Sequence, residues 1–159
     1  MSTSDTLSIS VPQGQGQIKN FTLKPSLPAN GQPGDWVFQT IESDGSQQPV
    51  ENLDISFDPN SNWLQRQSEV CVLVVTMDEP GWRFALGGTK SCLSEINTTD
   101  QLHDVETAVT ANGKVLTAVI KSLSKVGEAV GFSFVAAHTS DDGSVNIYQS
   151  PDPGLEIKR

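Results

Sequence analysis

The stretch Glu69–Gly88, EVCVLVVTMDEPGWRFALGG, restricts this chain to β structure more strongly than any other. Val70–Met77 is an unbroken, largely apolar run with valines at 70, 72 and 74, bounded by Glu69 and by Asp78-Glu79-Pro80-Gly81. β-Branched side chains crowd a helix and pack well on a pleated surface, so the run predicts a strand covered on both faces. Trp82–Leu86 then alternates, with Trp82, Phe84 and Leu86 on one side and Arg83 and Ala85 on the other. Pro80-Gly81 suits a turn centre, because proline presets φ and glycine accepts a positive one. A four-residue loop, Asp78–Gly81, therefore predicts a hairpin in which Leu73, Val75 and Met77 share a core face with Trp82, Phe84 and Leu86.

Short alternating segments recur along the rest of the chain. Leu7–Val11, Ile18–Leu23, Trp36–Glu42 and Leu53–Phe57 each read as strands. Lys24–Asp35 holds three prolines and two glycines and predicts an irregular loop, and Asp44-Gly45 centres a turn over Ser43–Gln48. Asn60–Ser68, with Trp63 and Leu64 among polar residues, predicts a loop that plugs one end of the core. Ser91–His103 reads only as a connection, a helical turn or a crossover strand.

Asn112-Gly113 is the favoured pair for a type I′ turn. Numbering outward from it sets Val109 opposite Leu116, Thr107 opposite Ala118 and Val105 opposite Ile120, all on one apolar or neutral face. Val115, Ala118, Val119, Ser122, Leu123 and Val126 also fall at helical spacing, but a helix starting after Asn-Gly lacks an N-cap and ranks second. A second hairpin joins Ala129–Thr139 to Ser144–Ser150 through Asp141-Asp142-Gly143, with Val145 and Ile147 beside Val135 and Ala137. Its other face groups Tyr148 with Phe132, Phe134 and His138. PDPG at 151–154 turns the chain into Leu155-Glu156-Ile157.

Eight or nine short strands without a long helix predict a two-sheet antiparallel β-sandwich, immunoglobulin-like in topology. The expectation is one domain over residues 1–159, residues 1–5 being a frayed tail, with a closed barrel as the second choice.

Lys and Arg number 10 against 19 Asp and Glu, for a net charge of −9, and the carboxylates are scattered. Duplex binding requires cationic neutralisation of phosphates, so nucleic acid is excluded as a partner, and an anionic membrane likewise. The N-terminal residues carry neither a basic nor an apolar signal region, and no apolar stretch approaches a membrane span, so a cytoplasmic protein is expected. Cys71 and Cys92 make no disulfide framework and read as reduced thiols. The acceptor-like triplets at Asn20 and Asn97 carry no weight without secretion.

Asp58-Pro59 after LDISF, Glu79-Pro80 at the centre of the expected core hairpin, and the closing Asp152-Pro153-Gly154-Leu155-Glu156-Ile157 together resemble the DP-EP family, small prokaryotic proteins named after such dipeptides. The resemblance spans nearly the whole chain. It implies an all-β prokaryotic protein and carries no catalytic residue, since the family has no established activity. Read as residues alone, the dipeptides are structural: aspartate before proline favours extended backbone and can accept backbone N–H groups.

No catalytic constellation is legible. His103 and His138 do not combine with the cysteines at any metal-binding spacing, and Ser140 and Asp141 lie too near His138 along one strand to form a triad. Asp141-Asp142-Gly143-Ser144 lacks the alternating ligands of a calcium loop, and Gly87-Gly88-Thr89-Lys90 lacks the spacing of a phosphate loop. No metal or cofactor is expected. Two functions remain. The first is a noncatalytic binding or protein-interaction module that contacts a protein or small-molecule ligand through end loops Lys24–Asp35 and Asn60–Gln67. Trp36, Trp63 and Trp82 are its aromatic candidates, Trp63 expected partly exposed and Trp82 buried. The second is an enzyme whose site gathers Asp58, Asp78 and Glu79 in one cleft. Trp63, Asp58, Asp78 and Glu79 are thus the candidate contact residues, and a homo-oligomer joined through an edge strand is compatible with either function.

Overall fold

A computed structural model describes residues 6–32, 34–85, 93–97, 103–122, 128–151 and 154–159. The described chain is all-β apart from one short helix. Its strands are β1 (Thr6–Val11), β2 (Gly16–Lys24), β3 (Val37–Ile41), β4 (Gln47–Pro49), β5 (Asn52–Phe57), β6 (Val70–Met77) and β7 (Trp82–Phe84). They continue with β8 (Leu93–Asn97), β9 (His103–Val109), β10 (Val115–Ser122), β11 (Glu128–Thr139), β12 (Val145–Gln149) and β13 (Gly154–Lys158), while helix α1 (Trp63–Ser68) precedes β6. Strands β4 and β8 fall in stretches expected to be a turn and a connection.

Three sheets form where two were expected. One holds six strands in the order β4-β3-β2-β6-β10-β9. The other two share β11, which at twelve residues is longer than any partner. Its first part pairs with β13 and β8, its last part with β12 and β7. Pairs β1–β5, β5–β13 and β2–β6 are parallel, so the expected all-antiparallel pattern holds only in part. Turn chemistry specifies local hairpins; strands brought together from distant parts of the chain can pair in either sense.

The central correction concerns β6 and β7. They do not pair with each other. β6 already has β2 on one edge and β10 on the other, so the chain leaves its sheet at Asp78–Gly81 and β7 joins β11. The turn itself is as expected: the Trp82 N–H donates to the Glu79 carbonyl at 3.3 Å, and Gly81 has φ of 83° after Pro80, the pattern of a type II turn. The inward parity also survives, because Leu73, Val75, Met77, Trp82 and Phe84 all enter the same core from facing sheets. The outer face of β6 (Val70, Val72, Val74 and Thr76) is only half-buried, so the strand is not covered on both sides.

Aromatic rings bridge the facing sheets. Phe21 stacks on Phe38 at 4.6 Å, and Phe38 meets Phe134 of β11 at 5.1 Å. Burying each such side chain contributes about 1.5–3 kcal/mol. On the far side of β11, Ala85, Val135 and Ala137 make a second, small apolar cluster.

The β9–β10 register is the expected one, with Val109, Thr107 and Val105 opposite Leu116, Ala118 and Ile120. The strand reading of 115–122 also displaces the helical alternative. The turn type differs. Asn112 is not at positive φ, so the pair is not type I′; the Gly113 N–H donates to the Thr110 carbonyl and only Gly113, at 73°, is left-handed. Asp44-Gly45 and Asp142-Gly143 repeat this device, each acid or amide Oδ1 accepting the N–H two residues on. The type I′ pair occurs instead at Asn30-Gly31, with φ of 54° and 74°, inside the proline-rich loop.

Candidate functional site

The eight residues of β6 separate two ends of the molecule, on the order of 25 Å apart at about 3.3 Å per residue. Asp58, Trp63 and the loop 60–67 lie at the end that holds Glu69. Asp78, Glu79 and the loop 24–35 lie at the other. Among the described residues, Asp58 is thus separated from Asp78 and Glu79 by the length of β6, and the three candidate carboxylates share no cleft.

At the Glu69 end, the side chains of Glu69 and Arg159 are fully buried and face each other at 2.6 Å between Oε1 and Nη1. Nη1 also donates to the Asp58 carbonyl at 2.8 Å. Nε and Nη2 donate to the Ser122 carbonyl, and the guanidinium lies 5.1 Å over the Phe57 ring. The other carboxylate oxygen, Oε2, accepts the Gly14 N–H at 2.8 Å and a short hydrogen bond from the Ser61 hydroxyl. Burial alone would push the Glu69 carboxyl up; the Ser61, Gly14 and Arg159 contacts outweigh it and hold the group below the ordinary glutamate value. Five separate segments, at residues 14, 57–61, 69, 122 and 159, are tied at this point. None of it was legible locally, since the partners lie from 8 to 90 residues from Glu69. The one available signal was a lone carboxylate abutting an apolar run, which must find compensation if buried.

Asp58 accepts a backbone N–H, as its dipeptide suggested. Its Oδ1 accepts the Asn60 N–H at 2.8 Å, and its carbonyl serves Arg159. Next, α1 replaces the expected plug. Asn62 caps it through the Gln65 N–H, and the Gln65 side chain returns to the Asn62 N–H, a reciprocal pair satisfying two end groups. The helix buries no residue: Trp63 is 65% exposed and Leu64 77%, while the core is closed by Ser61 and Glu69. Asn-x-x-Gln was the overlooked sequence signal.

At the Glu79 end, Asp78 is exposed and Glu79 stands 3.9 Å from Lys24 Nζ. Trp82 is buried, as expected, at the centre of an aromatic group: Trp36 edge-on at 5.5 Å, His138 at 4.9 Å and Tyr148 at 5.6 Å. His138 Nδ1 is buried without a hydrogen-bond partner among the described residues. Its ring packs as the aromatic face pattern predicted. Burial pushes the Cys71 thiol up to about 12, an inert group; Cys92 and Pro153 lie outside the described residues.

Among the described residues, no group of three or more His, Cys, Asp or Glu is placed to hold a metal ion, and no helix is long and apolar enough to cross a membrane. No curated protein matches the chain. One family description does: the DP-EP family matches residues 5–159, essentially the whole sequence.

Proposed function

The chain belongs to the DP-EP family, and from that premise we propose that it is a noncatalytic binding or protein-interaction module of a prokaryotic cytoplasm, contacting its partner through α1. One observation carries the reading: Trp63 and Leu64 stand side by side in solvent on a helix that adds nothing to the core. Tryptophan and leucine held outward on a fixed support are suited to contact, since tryptophan offers large apolar area with few rotors. The capping box and the Gln13–Gln65 hydrogen bond hold that support in place. An immunoglobulin-like lineage belongs to the same proposal; face-to-face packing through Phe38 and Phe134 favours it, and the parallel pairs weigh against it.

A photo-reactive phenylalanine at position 64, activated in cells, tests the contact. The expected product is a discrete crosslink that disappears when Trp63→Ala is added while the thermal midpoint stays unchanged. A crosslink to a second copy of the chain would identify the partner as a homo-oligomer. Labelling that is unaffected by Trp63→Ala would refute the role given to α1.

A further inference from the structure

We propose a second binding site, independent of α1, in which the β7–β11–β12 face takes a small apolar monocarboxylate with its carboxylate on Arg83. A groove of about 660 Å³ lies there, lined by Arg83, Val109, Gly113, Ala137, Val145 and Ile147 among others. That volume falls among small-molecule sites, roughly 300–1,000 Å³.

The groove follows from the strand registers. Arg83, Ala137 and Ile147 form one row across the three strands, because Ala137 is opposite both Arg83 and Ile147. Small residues in the middle strand leave a depression between larger neighbours: Ala137 is 4% exposed, whereas Ile147 is 64% exposed and Val145 48%. The tip of the β9–β10 hairpin forms the remaining wall. It is fastened on both sides of Arg83, by the Phe84 N–H donating to the Gly113 carbonyl at 2.8 Å and Lys114 Nζ donating to the Trp82 carbonyl at 2.6 Å.

Gly113 positions the arginine. A Cβ at residue 113 would stand 2.8 Å from Arg83 Cβ, and 3.4 and 3.5 Å from its Cδ and Cγ, so only glycine lets the tip lie against the aliphatic stem. The stem is thereby braced at the groove wall. Neither Arg83 nor Lys114 is in an ion pair among the described residues, although the chain carries 19 carboxylates.

Charge selects the ligand class. With a net charge of −9, the molecule repels anions at a distance, so a polyanion is disfavoured. A single negative charge matched by a planar guanidinium, with hydrocarbon against Val109, Val145 and Ile147, satisfies both halves of the groove.

Octanoate, followed by amide chemical shifts on the intact chain, is the test, with octanol as the uncharged control. The expected result is saturable shifts at Ala85, Ala137 and Ile147 with none at Trp63. Arg83→Gln should weaken octanoate by about tenfold or more and leave octanol unchanged. Ile147→Glu, at an exposed position, should weaken both. Equal octanoate binding in Arg83→Gln, shifts centred on Trp63, or no saturation by about 10 mM would each overturn the site. Tighter binding by acetyl-Val-Leu-Leu than by octanoate would also overturn it, by moving the occupant to a protein C-terminus.

Discussion

Glu69 stands immediately before β6 and Glu79 two residues beyond it, and the fold treats these two glutamates in opposite ways. Glu69 is fully buried against Arg159, with Gly14 and Ser61 donating to it. Glu79 stays partly in solvent with a loose Lys24 contact at 3.9 Å. The difference follows from what lies around them. At the Glu69 end, segments from different sheets converge, so a charge left there loses water and needs a compensating partner. At the Glu79 end, the chain passes between sheets through an exposed type II turn, where water does the same work. A carboxylate beside a strand is therefore no guide to function until its burial is known.

The contrast can be broken most directly at Arg159. Arg159→Met leaves Glu69 buried without its cation and is expected to cost about 3–5 kcal/mol in urea unfolding. A loss below about 1 kcal/mol would mean that the pair is not buried in solution. Ser61→Ala, which removes one donor from the same carboxylate, should cost about 1–3 kcal/mol.

Acid titration sharpens the comparison. The folded-state value of Glu69 lies below its unfolded value, so its contribution is complete above about pH 4.5 and is lost as pH falls through the folded value. Urea midpoints between pH 7 and the acid limit should fall below pH 4.5 in the parent chain, and less steeply in Glu69→Gln, which itself starts from lower stability. The same slope in both proteins would remove Glu69 as the source.

Two glycines give an intermediate effect. Gly113→Ala meets Arg83 at 2.8 Å and is left-handed, whereas Gly143→Ala is left-handed with open space around it. Each should destabilise by about 1 kcal/mol for the backbone alone, with a further loss at Gly113 from the clash. Equal midpoints would deny the close approach of the hairpin tip to β7. The smallest change is expected at the exposed end, where Asp78→Asn and Glu79→Gln should each shift stability by less than about 0.5 kcal/mol. A larger loss from Glu79→Gln would show that the exposed end also depends on its charge.

Much of the strand pattern was legible because its determinants are local. The β9–β10 register follows from the face pattern of Val105, Thr107 and Val109 against Leu116, Ala118 and Ile120, even though the turn proved to be of another type. The same holds for β11 and β12 around Asp142-Gly143. The candidate site was legible only in its single residues. Trp63 is exposed and Trp82 buried as their surroundings suggested, but nothing local could show that Asp58 and Glu79 lie at opposite ends.

By itself, the sequence determined most of the strands, β4 and β8 excepted, together with the inward side of the core-forming ones and several of the tight turns. Alternation and turn residues act over a few positions, and they suffice for that. The partner of each strand was decided only in three dimensions: β6 has two edges, and whichever strands fill them decide whether Trp82 returns beside it or crosses to β11. The parity of Trp82 and Phe84 is identical in both arrangements, so no inspection of side-chain pattern separates them. The Glu69–Arg159 contact belongs to the same category. Its members are 90 residues apart in the chain and meet beside Phe57, and solvent exclusion at that point is what makes the pairing necessary.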